Sequence, residues 1–114
     1  MSETLSKNER LSGQLAVSAL FERGKNYSAG CLRCKYLPGS VQTRIVVSVP
    51  KRLFKRAVKR NLLKRRIRES YRRQKDLLTL PADVLFIYNA PEVLPYEAIF
   101  ADMSAILAFI NHSL

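Results

Sequence analysis

Residues 44–72 read Arg44-Ile-Val-Val-Ser-Val-Pro-Lys-Arg-Leu-Phe-Lys-Arg-Ala-Val-Lys-Arg-Asn-Leu-Leu-Lys-Arg-Arg-Ile-Arg-Glu-Ser-Tyr-Arg72, and two periodicities meet inside this stretch. Ile45, Val46 and Val47 lie in a β-branched run, residues 43–49, that reads as a strand at the centre of a sheet, with Pro50 ending it. A basic loop, residues 51–56, then leads into a helical pattern from about Ala57 to Lys75. On a wheel of ~100° per residue, Arg60, Lys64, Arg68 and Arg72 follow one another at i, i+4, i+8 and i+12, with Asn61 and Arg65 on the same side. Leu63, Ile67, Ser70 and Tyr71 occupy a separate sector that can meet the sheet, and Val58 and Leu62 are expected to pack on the other flank.

The charge of the molecule is concentrated here. Thirteen of its twenty Lys and Arg residues lie between Lys51 and Lys75 and Glu69 is the only acid among them, giving net +12 (13 − 1), while the remainder holds seven basic and eight acidic residues. Like charges at i,i+4 destabilise an isolated helix by a few tenths of a kcal/mol per pair. The apolar sector must therefore hold the helix, and a solvated face would normally mix Glu with Lys. A stripe of Arg and Lys without acids is a phosphate-binding pattern: Arg presents a flat fork, Lys a mobile point charge, and the Asn61 amide can bond phosphate or base without altering the charge. Nucleic-acid binding follows from this pattern; the choice of RNA over DNA does not.

Working outward, 114 residues with 47% hydrophobic content suit one globular domain with a true core. Residues 1–10 read as a loosely ordered start and residues 11–114 as a single domain. A short helix is expected from Leu11 to about Arg23, with Leu11, Leu15, Leu20 and Phe21 apolar and Gly24 stopping it. Residues 27–37 read as one strand, with Leu32, Cys34 and Tyr36 on one face and Arg33 and Lys35 on the other, closed by the turn at Pro38-Gly39-Ser40. Beyond Pro81, residues 82–88 form another apolar strand, and Tyr96 to about Ile110 an amphipathic helix through Ile99, Met103, Ile106, Leu107 and Ile110. The order helix, strands, helix, strand, helix makes an α+β domain with helices packed on one sheet.

Several function classes are set aside. The apolar runs 45–47 and 84–88 are far short of the ~20 residues that span a bilayer, and the polar residues 1–10 carry no apolar signal core, so the expected location is the cytoplasm. Cys31 and Cys34 form a C-x-x-C without the partners of a zinc site, since His112 is the only histidine. An offset of three within a strand puts the two thiols on opposite faces, and both are expected to pack as small reduced apolar residues. Catalysis by the chain itself is not expected: there is no histidine pair, and Asp83, Glu92, Glu97 and Asp102 read as scattered surface acids and not as a two-metal cluster.

The stretch quoted above resembles the signature of the bacterial ribonuclease P protein component: a strand ending in Ser-Val, a Lys-rich loop, then Ala-Val-x-Arg-Asn-x-x-Lys-Arg-x-x-Arg-Glu on a helix. Lys7-Asn-Glu-Arg10, Leu20-Phe-Glu-Arg-Gly-Lys25, the strand 83–88 and the Tyr96-Glu97 helix start fit as well, so the resemblance covers nearly the whole domain. It implies a ribonuclease P protein-like fold, a small α-β sandwich with a left-handed β-α-β crossover around the basic helix, against the usual right-handed preference. It implies a subunit of the endoribonuclease that removes the 5′ leader of precursor tRNA, in which the RNA subunit carries the Mg²⁺ ions and the chemistry and the protein binds no metal tightly by itself. The implied partners are ribonuclease P RNA and precursor tRNA, with no membrane. Residue by residue, Arg60, Asn61, Lys64, Arg65 and Arg68, with Lys51 and Arg52 after the strand, would contact the RNA subunit, and Lys55, Arg56 and Arg72 extend that set. Val17, Phe21 and Tyr36 would line a groove for the unpaired leader, whose bases can stack on aromatics with little sequence preference.

Two departures stand out: Leu62 occupies a position where a third cation is common, with Lys59 and Arg66 nearby to compensate, and the loop 52–56 is one residue longer, with Phe54 where Gly is common. The rivals are a purely structural RNA-binding protein, such as a ribosomal protein, and a DNA-binding module. The latter is disfavoured because no short second helix sits just before the basic one to make a helix-turn-helix.

Overall fold

The computed structural model describes residues 14–113, with side chains from residue 17 onward. The loose start expected at residues 1–10, the Lys7–Arg10 segment of the resemblance and the expected packing of Leu11 and Leu15 lie outside the described residues. The chain runs α1 (Gln14–Arg23), β1 (Lys25–Ala29), β2 (Leu32–Pro38), β3 (Arg44–Ser48), α2 (Ala57–Arg72), β4 (Ala82–Tyr88) and α3 (Tyr96–Ser113), with a 3-10 turn at Lys75–Leu77. The strands form one mixed sheet in the order β1-β2-β4-β3. The β1–β2 and β2–β4 pairs are antiparallel, and β3–β4 is parallel, so β3, α2 and β4 make a β-α-β unit with neighbouring strands.

Two expectations about the strands are corrected. Residues 27–37 are not one strand but a hairpin, β1 and β2, turning at Gly30-Cys31 with Ala29 opposite Leu32. Gly30 has φ 56, and a glycine at the first central position is what a two-residue turn of the II′ kind requires. Nor is β3 central. It sits at the sheet edge and alternates half-buried with buried positions, whereas β4 lies inside the sheet, buried at all but Ile87, which is why it reads as a continuous apolar run.

The sheet buries both faces unequally. Leu32, Cys34, Tyr36, Ile45, Val47, Val84, Phe86 and Tyr88 pack against Leu63, Ile67 and Tyr71 of α2 and Ile99, Met103, Ile106, Leu107 and Ile110 of α3. The other face carries a smaller cluster, in which Leu20 of α1 sits on Leu85 with Val17, Leu37, Val46 and Ile87 around it. Each fully buried Leu, Ile or Phe contributes about 1.5–3 kcal/mol relative to exposure, so the α2–α3 face is the main anchor of the fold and α1 is a lighter cover.

Both helix predictions on the main face hold in their apolar sectors, but α2 ends at Arg72, where Arg73 N–H donates to the Glu69 carbonyl at 3.1 Å and Gln74 N–H to the Tyr71 carbonyl at 3.0 Å. Helix α3 runs to Ser113, about a turn beyond the expected end at Ile110. Val58 does not pack; it is 78% exposed, while Leu62 is half-buried.

The cysteines belong to one core, not to opposite faces, because Cys31 lies in the turn and not in the strand. Asp102 of α3 accepts the Cys31 backbone N–H at 2.9 Å and so fixes the hairpin turn to the helix. A Cβ on Gly30 would collide with that carboxylate. Burial pushes the Cys31 thiol up to about 12, with the Asp102 carboxylate adding to it, and burial alone does the same for Cys34. Both thiols therefore stay protonated and unreactive.

Candidate nucleic-acid interface

Strand β3 ends at Ser48, and two residues on the Pro50 carbonyl accepts the N–H groups of Leu53 (3.1 Å) and Phe54 (3.4 Å), folding the loop into a tight turn. Phe54 is only 6% exposed and packs on Tyr88, with ring centroids 5.8 Å apart. Phe54 thus has a structural purpose: an aromatic plug seats the loop in the core. The Tyr88 hydroxyl is fixed in turn, donating to Glu92 O at 2.7 Å and accepting Leu94 N–H at 3.1 Å.

Arg60 completes the loop. Its Nη1 donates to the carbonyls of Phe54 and Lys55, both at 2.8 Å, so this guanidinium ties the first turn of α2 to the chain before it. Arg56, at the N-cap, is extended and makes no side-chain cap bond, and the first turn of α2 has no acid. The positive end of the helix dipole is therefore met by Lys51, Arg52, Lys55 and Arg56, all exposed, an arrangement that favours an anion at this end.

Along the helix, Asn61, Arg65 and Arg68 are exposed and Arg60, Lys64 and Arg72 half-buried, and the buried residues of α2 (Leu63, Ile67, Ser70, Tyr71) lie in a separate sector. The predicted row is thus continuous on one side of a rigidly packed helix. Its last member is engaged within the helix: Arg72 grips Glu69 through two hydrogen bonds, Nε to Oε1 at 2.9 Å and Nη2 to Oε2 at 2.7 Å. That grip, more than any longer-range charge, holds the Glu69 carboxyl below its ordinary range and neutralises the one acid in the cluster.

The groove residues divide. Phe21 is 53% exposed on α1, with Lys35 Nζ 5.9 Å from its ring centroid, and Val17, one turn earlier on the helix, is half-buried. Tyr36 is a correction. It is 3% exposed on the opposite face of the sheet, in the core with α2 and α3, edge-on to Phe109. A strand alternates sides, so Lys35 and not its neighbour reaches the α1 face. Arg44, which holds Asp83 at 3.0 Å through both Nε and Nη2, stands at the side of a pocket of about 330 Å³ that Ala19 and Arg23 of α1 also line. Sequence reading missed Lys35 as a site residue, although its place on the polar face of β2 was visible. It also misplaced two acids: Asp83 is buried and paired with Arg44, and Asp102 clamps the hairpin turn. Among the described residues no three His, Cys, Asp or Glu side chains gather as a metal-binding group, and no helix is long and apolar enough to cross a membrane.

The family model described as Ribonuclease P matches residues 5–111. A ribonuclease P protein component of Porphyromonas gingivalis is 44% identical over 78 residues, covering 65% of this chain, and the match spans only 57% of the length of that relative. One from Chlorobaculum tepidum is 32% identical over 113 residues, 93% of this chain and 66% of the relative. Among solved structures, the Staphylococcus aureus RNase P protein superposes with a TM-score of 0.78 at 22% identity, covering 90% of this chain and 94% of that one. The Thermotoga maritima protein does so with 0.76 at 22% identity, covering 87% and 94%. At this identity these superpositions establish the fold alone.

Proposed function

The chain belongs to the bacterial ribonuclease P protein family, and from that premise we propose that it is the protein subunit of the ribonucleoprotein that cleaves the 5′ leader from precursor tRNA. The observation that carries this reading is the acid-poor cationic row on α2, held by a fully packed apolar sector and continued by four exposed cations before the helix. In this reading Lys51, Arg52, Lys55 and Arg56, with the row from Arg60 to Arg72, bind ribonuclease P RNA through its phosphates. Mg²⁺ ions held by that RNA supply the hydrolytic chemistry, and the chain contributes no catalytic group. The site of action is the cytoplasm, where precursor tRNA is made.

The second face favours this reading over a purely structural RNA-binding role. A half-exposed Phe21 beneath the Lys35 ammonium supplies a stacking surface beside a phosphate-attracting cation, as single-stranded leader requires. Phe21→Ala should weaken binding of leader-bearing precursor tRNA by the reconstituted holoenzyme by roughly five- to a hundred-fold, the worth of one stacked base, with little change for mature tRNA. The exposed position keeps the effect on folding small, within about 0.5 kcal/mol. Equal losses for both RNAs would remove Phe21 from leader binding and favour the structural role.

A further inference from the structure

The motif row is not the only cationic line on α2. Lys59, Arg66 and Arg73 recur at i, i+7 and i+14, stepping down the helix about 10.5 Å at a time on a single azimuth that drifts ~20° per step. Relative to the buried sector of Leu63, Ile67, Ser70 and Tyr71, they lie on the flank opposite to the one that Lys64 and Arg68 occupy. This flank faces the start of α3. Arg66 Nη1 donates to Leu94 O at 2.6 Å, which uses one of the five donors of its guanidinium. At its lower end Arg73 borders an open cleft of about 470 Å³ whose other walls are Tyr96, Glu97 and Phe100.

Three features make this cleft more than a seam between helices. Tyr96 and Phe100, one turn apart on α3, form a tilted aromatic pair with centroids 5.9 Å apart. The Tyr96 hydroxyl is buried and finds no hydrogen-bond partner among the described residues, which is costly unless a ligand supplies one. The walls are held rigidly: buried Gln74 donates to Ser70 O at 3.1 Å and to Phe100 O at 3.0 Å, joining the end of α2 to α3. Aromatic faces, an unmet hydroxyl and a line of cations together match the base, base edge and phosphates of an unpaired nucleotide.

We propose that the cleft between the C-terminal end of α2 and the N-terminal end of α3 is a second RNA-binding site, which takes one unpaired base against Tyr96 and Phe100 while Arg73 and Arg66 hold the adjoining phosphates. The site rests on the reading of this chain as an RNA-binding subunit and extends it to a part of the helix outside the motif row. It also gives the missing cation at Leu62 a counterpart, since Lys59 and Arg66 carry positive charge along the other flank instead.

The test uses the full chain with bacterial ribonuclease P RNA and three variants. Tyr96→Phe removes only an unpartnered hydroxyl, so it should leave the melting temperature of the free protein unchanged or raise it, yet weaken RNA binding roughly two- to tenfold. Arg73→Gln should lower the magnitude of the slope of log K against log salt by about one unit, the signature of one lost phosphate contact. Arg68→Ala, in the motif row, serves as the reference for RNA binding as such. Normal affinity and normal salt slope for both cleft variants, alongside a clear loss for Arg68→Ala, would overturn the second site and leave the proposed function intact. No loss for any of the three would overturn both. Cleft variants that bind the RNA normally but lose binding to poly-glutamate would also overturn it, in favour of an acidic protein partner.

Discussion

Replacing Lys64, Arg65 and Arg68 together with alanine should weaken binding to bacterial ribonuclease P RNA by about a hundredfold or more at ~0.15 M salt, and reduce the magnitude of the salt slope by about two to three units. None of the three is part of the buried sector of α2, which is Leu63, Ile67, Ser70 and Tyr71. Lys64 and Arg68 stand at i,i+4, where like charges repel, and alanine is the best helix former. The free variant should therefore melt within a few degrees of the parent. Loss of affinity without loss of fold is the expected pairing, read by titration of the RNA at several salt concentrations beside a thermal melt. An unchanged salt slope would mean that this face of α2 does not meet phosphate.

The second large effect is on the fold, and it reaches the interface through a single side chain. Phe54→Ala should destabilise the protein by about 3–5 kcal/mol, the usual range for deleting a buried aromatic, which corresponds to a melting temperature lower by roughly 12 °C or more. Phe54 packs on Tyr88, and its own carbonyl is one of the two that Arg60 grips. Unseating the ring should free the loop of residues 51–56 and release Arg60 from its acceptors, so affinity for the RNA should fall even under conditions where the variant is fully folded. Phe54→Leu, which keeps much of the apolar volume, should recover most of both losses. If Phe54→Ala melts like the parent, the ring is not the plug described here.

What the sequence made legible follows from how strongly each residue is constrained. The cationic row and the apolar sector of α2 were readable because a helix repeats every 3.6 residues and both sets recur at that spacing. Strand β4 and the apolar positions of α3 were readable for the same kind of reason, a continuous run in one and helical spacing in the other. The hairpin was not, because Ser28-Ala29-Gly30-Cys31 lacks the Asn-Gly or Asp-Gly signal and apolar residues continue on both sides of it. Overlooking that turn put Cys31 on the wrong face.

Strand order was equally hidden: β3 and β4 are both rich in branched apolar residues, and only the pairing reveals which one lies inside the sheet. Tyr36 was drawn into the groove by its residue type, whereas its neighbour Lys35 is the one that reaches Phe21. Side-chain clamps such as Arg60 on the loop carbonyls, Asp102 on the Cys31 amide and Asp83 on Arg44 join positions that nothing in the local pattern connects. Phe54 looked like a departure in a binding loop and proves to be the residue that builds it.

The central claim is that this chain enables a catalytic RNA and performs no chemistry itself. The most direct measurement is cleavage of a precursor tRNA by bacterial ribonuclease P RNA at low Mg²⁺ concentration, with and without the chain. The account predicts that the RNA alone is nearly inactive under these conditions, that adding the chain restores cleavage at the correct 5′ position, and that the chain without the RNA cleaves nothing. Tight binding to the RNA with no restoration of cleavage would contradict it and leave a structural RNA-binding protein in its place.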